Sequence, residues 1–171
     1  MNKTLKYKKA GDGVTITGVS DNKITGKLVI PDMIDGKPVT AIGISAFFGC
    51  KGLTSVTIPK SVKSISESAF YRCTGLISLT IPDSVTSISD AAFFMCTALT
   101  SVTIPNSVTS IGSNAFYGCR ALTSVTIPGS VTSIGEGAFA GCIGLKSVTL
   151  PKKANSSVRS AFPKNVKVIT K

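Results

Sequence analysis

The sequence contains no histidine and no tryptophan, and its 8 acidic residues are outnumbered by 19 Lys and Arg. The absence of histidine removes the commonest general base of enzymes and a frequent ligand of zinc. With aromatic residues at only 6%, the core must be built mainly from aliphatic side chains. No apolar stretch approaches the length of a membrane-spanning helix, so membrane insertion is not expected.

A repeat of 23 residues runs through most of the chain, and residues 122–142 show it as L-T-S-V-T-I-P-G-S-V-T-S-I-G-E-G-A-F-A-G-C. Fixed repeats of this length indicate a solenoid, in which each unit buries its apolar face only against its neighbours. The recurring positions are Leu53, Leu76, Leu99, Leu122 and Leu145; Pro59, Pro82, Pro105, Pro128 and Pro151; and Phe47, Phe70, Phe93, Phe116, Phe139 and Phe162.

The pattern within one unit predicts its local structure. In residues 99–104, Val102 and Ile104 alternate with polar neighbours, so we expect a short strand with both facing inward and Ser101 and Thr103 facing outward. The proline that follows suits the end of a strand, because it lacks an N–H. The return segment, residues 107–112, is β-branched and rich in Gly and Ser, which favours extended or 3₁₀ backbone over α-helix.

The unit L-x-x-V-x-I-P-x-S-V-x-S-I-x-x-x-A-F-x-x-C resembles the BspA-like leucine-rich repeat of bacterial and protist surface proteins. The resemblance implies a leucine-rich-repeat solenoid, a horseshoe or right-handed coil that is mostly β, with short 3₁₀ turns and one parallel strand stacked per repeat. It covers residues 24–162 as about six repeats, the first with a five-residue insertion. We expect a capping hairpin at residues 1–23 and a capping strand at residues 163–171, within a single domain.

Positive charge is concentrated at the two ends of the chain. Residues 1–72 carry eleven basic and five acidic groups. Residues 73–145 carry one basic and three acidic groups, and residues 146–171 carry seven basic groups and no acidic group. A nucleic-acid surface usually presents a continuous basic stripe with interleaved aromatics, so this pattern argues against one and favours solvated caps. The clusters that could instead hold an anionic glycan or nucleic acid are Lys3, Lys6, Lys8 and Lys9, and Lys152, Lys153, Arg159, Lys164 and Lys167.

Five cysteines recur at the repeat period, with no C-x-x-C pair among them. Zinc sites need local ligand pairs, and an odd number of thiols cannot pair completely. Free cysteine also behaves as a small buried hydrophobe, so we predict a structural column without a metal or any cofactor. Its members are Cys50, Cys73, Cys96, Cys119 and Cys142.

Nothing in the sequence indicates catalysis. There is no nucleophile motif, and the abundant Ser and Thr are locked to the repeat period, which marks them as surface residues rather than activated nucleophiles. Asp32 and Asp35 lie on the insertion, where turn chemistry explains them. We therefore predict a protein that is not an enzyme.

The outward positions of the strands form the candidate ligand-binding face. Thr fits an exposed pleated surface and keeps it soluble, so one interpretation of these positions is purely structural. The other interpretation is an uncharged hydrogen-bonding face that binds a protein or a glycan. A column of aromatic residues follows the core Phe and either packs between repeats or lines an exposed edge, where aromatics are preferred anchors. The candidate residues are Ser78, Thr80, Ser101, Thr103, Ser124 and Thr126, with Tyr71, Phe94, Tyr117 and the variable-position Arg120.

The function implied by the resemblance is protein–protein recognition by an adhesin-type ligand binder at the cell surface or in the secreted fraction. A cytoplasmic location is the alternative, because the N-terminal residues contain no apolar targeting segment. Two further hypotheses are a structural spacer within a larger surface protein, and a binder of anionic glycan or nucleic acid through the basic ends. We expect a monomer whose partner is a host or cell-surface protein.

Overall fold

The computed structural model describes residues 5–171, except for the side chain of Ser157, and its first two strands form an antiparallel hairpin. These strands are β1 (Leu5–Ala10) and β2 (Gly13–Val19), and β2 covers the first turn of the solenoid. The first four residues of the expected capping hairpin, Lys3 among them, lie outside the described part.

The insertion of the first repeat folds as a second small hairpin beside the first. Asp35 and Gly36, with φ of 51° and 73°, form its two-residue turn. The Tyr7 hydroxyl donates a hydrogen bond to the Asp35 carboxylate at 3.0 Å, and this bond raises the pKa of Tyr7. Asp35 therefore ties the insertion to β1. The strands of this repeat are β3 (Thr25–Val29), β4 (Met33–Ile34) and β5 (Lys37–Ile42).

Each following repeat contributes two strands that pair in parallel with those of its neighbours. We call the first the outgoing strand and the second, shorter one, which lies in the return segment, the return strand. The return segment is thus extended, which is one of the two conformations favoured by its sequence. The expectation of one strand per repeat was wrong, because the return segment forms a second strand. The pairs are β6 (Gly52–Thr57) and β7 (Ser64–Ile65), β8 (Ser78–Thr80) and β9 (Ser87–Ile88), β10 (Ser101–Thr103) and β11 (Ser110–Ile111), β12 (Ser124–Thr126) and β13 (Ser133–Ile134), and then β14 (Ser147–Leu150).

The last return segment is helical instead of extended. Ala154 and Ser157 occupy the positions of the usual Val and Ile, and the Asn155 side chain accepts a hydrogen bond from the Val158 N–H at 2.9 Å as a helix N-cap. The last described elements are α1 (Ser156–Ser160) and β15 (Lys167–Thr170).

The strands form two sheets that enclose one continuous core. The outgoing strands make a seven-stranded sheet in the order β15-β14-β12-β10-β8-β6-β3. The return strands make an eight-stranded sheet in the order β1-β2-β5-β7-β9-β11-β13, with β4 beside β5. Within β10, Val102 is 7% exposed while its neighbours Ser101 and Thr103 are exposed, so the predicted inward and outward assignment is confirmed.

Identical side chains stack from repeat to repeat, as predicted. The core Phe rings lie nearly parallel, and Phe116 stands 5.1 Å from Phe93 and 5.3 Å from Phe139 between ring centroids. A serine at the start of the return segment adds a hydrogen bond between repeats. Ser107 Oγ donates to the Val85 carbonyl at 2.7 Å, and Ser61, Ser84 and Ser130 do the same in their own repeats.

The turn after each return strand contains two residues with left-handed backbone. Glycine fills some of these positions, but Ala91 adopts a φ of 51°. An L-residue in this conformation carries a cost of roughly 1–2 kcal/mol, because its Cβ crowds the following carbonyl. The turns nevertheless pair along the solenoid, since the Ala91 N–H donates to the Ser113 carbonyl at 2.8 Å.

Ala91→Gly is therefore expected to raise the free energy of unfolding by about 0.5–1 kcal/mol, after the greater freedom of glycine in the unfolded chain is subtracted. The adjacent Ala92 is fully buried, so Ala92→Gly should lower the same quantity by roughly 1–2 kcal/mol. Urea unfolding of the two variants measures both values. A loss of stability in Ala91→Gly would contradict the strain assigned to this turn.

Candidate functional site

The outward Ser and Thr residues of the seven-stranded sheet form two straight columns, which we call the hydroxyl face. The strands pair in register, so Ser101 lies between Ser78 and Ser124, and Thr103 between Thr80 and Thr126. All six side chains are exposed, and the columns continue into Ser55 and Thr57 on one side and Ser147 and Thr149 on the other. The structure therefore brings the predicted hydroxyl residues together on one surface.

The register also shows how the hydroxyl face ends. Lys27 pairs with Ser55 at one end of the Ser column, and Lys167 pairs with Ser147 at the other. With strands about 4.8 Å apart, the six intervals from lysine to lysine span about 29 Å. The five hydroxyl pairs between them are uncharged, so the middle of this face offers hydrogen bonds while positive charge is confined to its ends.

The aromatic ladder consists of Phe48, Tyr71, Phe94 and Tyr117, in the turns that follow the return strands. Neighbouring rings stack with centroids 4.6–5.0 Å apart and planes within 8° of each other. Phe48 and Tyr117 are 47% and 37% exposed. Both suggestions for this column therefore hold: the rings pack between repeats and also line an exposed edge. Because Tyr71 and Phe94 have a ring on each face, only the edges of their rings are accessible.

The backbone fixes the aromatic ladder in place. The carbonyl of Phe94 accepts a hydrogen bond from the Arg72 N–H at 2.7 Å, and that of Tyr117 accepts one from the Met95 N–H at 2.7 Å. The Arg72 guanidinium lies 5.7 Å from the centroid of the Tyr71 ring, a cation–π distance. Arg120 is exposed in the turn before β12 and belongs to neither the ladder nor the hydroxyl face.

The five cysteines form a buried column of free thiols. Each thiol from Cys73 onward donates to the carbonyl of a core Phe 26 residues earlier; Cys119 Sγ, for example, lies 3.3 Å from the Phe93 oxygen. Burial raises the pKa of Cys73 to about 12 and that of Cys50 to about 11. The thiols therefore stay neutral at physiological pH and hold adjacent repeats together.

A groove on the outer side of the eight-stranded sheet was not foreseen, and we call it the serine trough. It is an open groove with a volume of about 710 Å³ that crosses the return segments of several repeats. A periodic signal was present, because Glu67, Asp90, Ser113 and Glu136 are each 23 residues apart. Its lining includes Ser66, Glu67, Ser89, Asp90, Ser113 and Ser133.

These surfaces provide hydrogen bonds and ring edges. Among residues 5–171, no group of three or more His, Cys, Asp or Glu side chains is placed to hold a metal ion. Over the same residues, no helix has the length and apolar character needed to cross a membrane. The arrangement defines a repeat scaffold with regular polar and aromatic surfaces.

Comparison with known families identifies the class. The model of the BspA-type leucine-rich-repeat region matches residues 27–128 with six copies, which is more than half of the chain. The chain belongs to the BspA-type leucine-rich-repeat family. Leucine-rich-repeat proteins of this kind are generally protein-interaction modules and are typically non-catalytic.

Solved structures agree with this assignment. A leucine-rich-repeat protein of T. pallidum is 32% identical, with a TM-score of 0.83 over 98% of this chain and 84% of its own. A leucine-rich-repeat protein of Bacteroides ovatus is 26% identical, with a TM-score of 0.70 over 99% of this chain and 55% of its own. A leucine-rich cell surface protein of Faecalibacterium prausnitzii is 28% identical, with a TM-score of 0.57 over 88% of this chain and 54% of its own. The chain thus spans about half the length of the last two. No curated protein sequence matches it significantly.

Proposed function

We propose that this chain is a non-catalytic protein-recognition module of adhesin type, which binds a host or cell-surface protein through the hydroxyl face. The observation that carries the proposal is the register of Ser101 and Thr103 with their equivalents in the neighbouring repeats. This register presents five Ser and Thr pairs on a rigid backbone, and the three middle pairs are exposed. A preordered surface of this kind loses little conformational entropy when it binds a partner.

The aromatic ladder supports the same proposal as a second contact region. Interface anchors are enriched in Tyr and Arg, and the ladder combines Tyr71 and Tyr117 with the nearby Arg72. Stacking leaves these rings with little freedom to lose on binding. In this proposal Arg120, in the turn before β12, contacts the partner at the border of the two regions.

We propose a location at the cell surface or in the secreted fraction, with the partner on a host or neighbouring cell. The support comes from the similar F. prausnitzii protein, which is described as a leucine-rich cell surface protein. The chain itself acts as a monomer in this proposal, because the lysines at the ends of the hydroxyl face disfavour strand pairing between copies.

The test replaces three threonines of the hydroxyl face together: Thr80→Arg, Thr103→Arg and Thr126→Arg. Proteins captured from a cell-surface extract by the immobilised chain are identified by mass spectrometry, and the affinity of each is then measured with purified components. We expect this triple variant to weaken binding at least 100-fold, because three long charged side chains would stand between the hydroxyl columns and the partner.

The chain offers a matched control in the same repeats. Thr86, Thr109 and Thr132 are exposed beside the return strands, and their replacement by Arg adds the same charge to the opposite sheet. We expect less than a threefold change in affinity for this control. If no captured protein depends on the hydroxyl face, recognition through this face is contradicted. If no protein is captured at all, the chain is a spacer rather than a recognition module.

A further inference from the structure

The serine trough differs from the rest of the surface in its charge. Two carboxylates, Glu67 and Asp90, line it, and none of its lining side chains is basic. An adjoining cavity of about 640 Å³ shares Ile134 and Gly135 with the trough and adds Glu136 to the same row. A chain with a formal charge of +11 thus carries a negative strip along one sheet.

The carboxylates of this strip lie one and then two repeats apart along the solenoid. Because repeats are stacked about 4.8 Å apart, Glu67 and Glu136, three repeats apart, are separated by about 14 Å. An extended peptide rises about 3.3 Å per residue, so four residues cover the same distance. Ser113 occupies the one position of the row without a carboxylate, and its N–H donates to Asp90 Oδ1 at 2.7 Å.

Serine hydroxyls supply the other polar side chains of the lining, which also contains isoleucines and glycines. Ser66, Ser89 and Ser133 each offer a donor and an acceptor, which suits the N–H and C=O groups of a bound main chain. Hydrogen bonds of this kind do not depend on the partner's sequence, whereas the carboxylates select positive side chains. The trough therefore has the elements needed to bind a basic segment in an extended conformation.

We propose that the serine trough binds an extended, lysine- or arginine-rich peptide segment of a partner protein, laid along the solenoid axis. Glu67, Asp90 and Glu136 pair with basic side chains two to four residues apart in the segment. The inference goes beyond the proposed function, because this surface lies on the sheet opposite the hydroxyl face. Lys63, on the same repeat as Glu67, lies outside the lining.

The probe for this proposal is a fluorescein-labelled peptide of four Lys-Ser units, compared with one of four Gln-Ser units. The overall charge of the chain repels the lysine peptide, so binding reports the local carboxylates. We expect the lysine peptide to bind by fluorescence anisotropy at least tenfold more tightly than the glutamine peptide. The double variant Glu67→Gln, Asp90→Asn should weaken this binding at least tenfold, while the amide oxygen introduced at position 90 can still accept the hydrogen bond from the Ser113 N–H.

The matched control is the double variant Asp21→Asn, Asp83→Asn, which changes two exposed acids away from the trough. Both double variants remove two negative charges and raise the formal charge from +11 to +13. We expect the control to bind the lysine peptide within twofold of the unchanged chain. Equal weakening in the two variants, or no preference for the lysine peptide, would overturn the proposal. Since the probe is synthetic, neither result depends on whether the hydroxyl face binds a protein.

Discussion

Phe116→Ala is expected to lower the free energy of unfolding by about 3–5 kcal/mol, because it opens a cavity at a site that neighbouring repeats cannot close. Phe116 is fully buried between the rings of Phe93 and Phe139. Each repeat relies on its neighbours to bury its apolar side chains, so the loss weakens two interfaces at once. Equilibrium unfolding in urea, with the slope of the transition compared, measures the change.

The control for this prediction is Thr103→Ala on the hydroxyl face. Thr103 is exposed at the centre of the seven-stranded sheet, and its removal should change stability by no more than roughly 0.5 kcal/mol. Equal losses in the two variants would show that the inward and outward sides of the strands have been assigned wrongly.

All five thiols should react very slowly with a thiol reagent until the chain unfolds. The thiolate is the reactive form, and burial raises the pKa of Cys73 from an ordinary value of 9.0 to about 12. That shift alone lowers the thiolate fraction at pH 7.5 by about three orders of magnitude. Cys50 and Cys142, both with a pKa raised to about 11, should be the first to react when the ends of the stack open.

The same shifts predict how stability depends on pH. A thiol whose pKa is higher in the folded state favours folding fully below its unfolded pKa, and this contribution is lost as pH rises through the folded value. Stability should therefore fall between about pH 9, the ordinary pKa of the thiol, and pH 12, the raised pKa of Cys73. The prediction of slow thiol reactivity has its own test. Rapid labelling of the thiols in the native chain, or a disulfide detected by mass spectrometry, would contradict the burial of the cysteine column.

The features that could be predicted from the sequence are those that repeat. The period of 23 residues places Leu99, Val102, Phe116 and Cys119 in columns, because residues one period apart must stack in a solenoid. The alternation within Ser101–Thr103 likewise indicated which side chains face outward. These inferences need only the period and the pleat of a strand.

The features that were missed depend on contacts between unlike positions. The hydrogen bond from Ser107 to the Val85 carbonyl joins residues 22 apart, one short of the period, so stacking alone does not reveal it. The pairing of Lys27 with Ser55 includes a register shift after Gly26, which no periodic pattern contains. Prediction of the serine trough would have required the shape of the turns as well as the row of carboxylates. The columns of this solenoid could therefore be predicted from its period, whereas the register shift in its first repeat and the serine trough could not.

The measurement that tests protein recognition most directly is the affinity of a captured partner at about 50 and 200 mM salt. The five hydroxyl pairs of the hydroxyl face are uncharged, so binding there should weaken by less than about tenfold between the two concentrations. Binding of an acidic polymer by the basic ends would instead weaken by orders of magnitude, as counterions are released from several contacts.

A variant with glutamine at the lysines of both ends completes the measurement. We expect its partner affinity and its salt dependence to stay close to those of the unchanged chain. A steep salt dependence that disappears in this variant would contradict recognition through the hydroxyl face. The lysines to be replaced are Lys6, Lys8, Lys9, Lys152, Lys153 and Lys164, whereas Lys167 is kept because it borders the hydroxyl face.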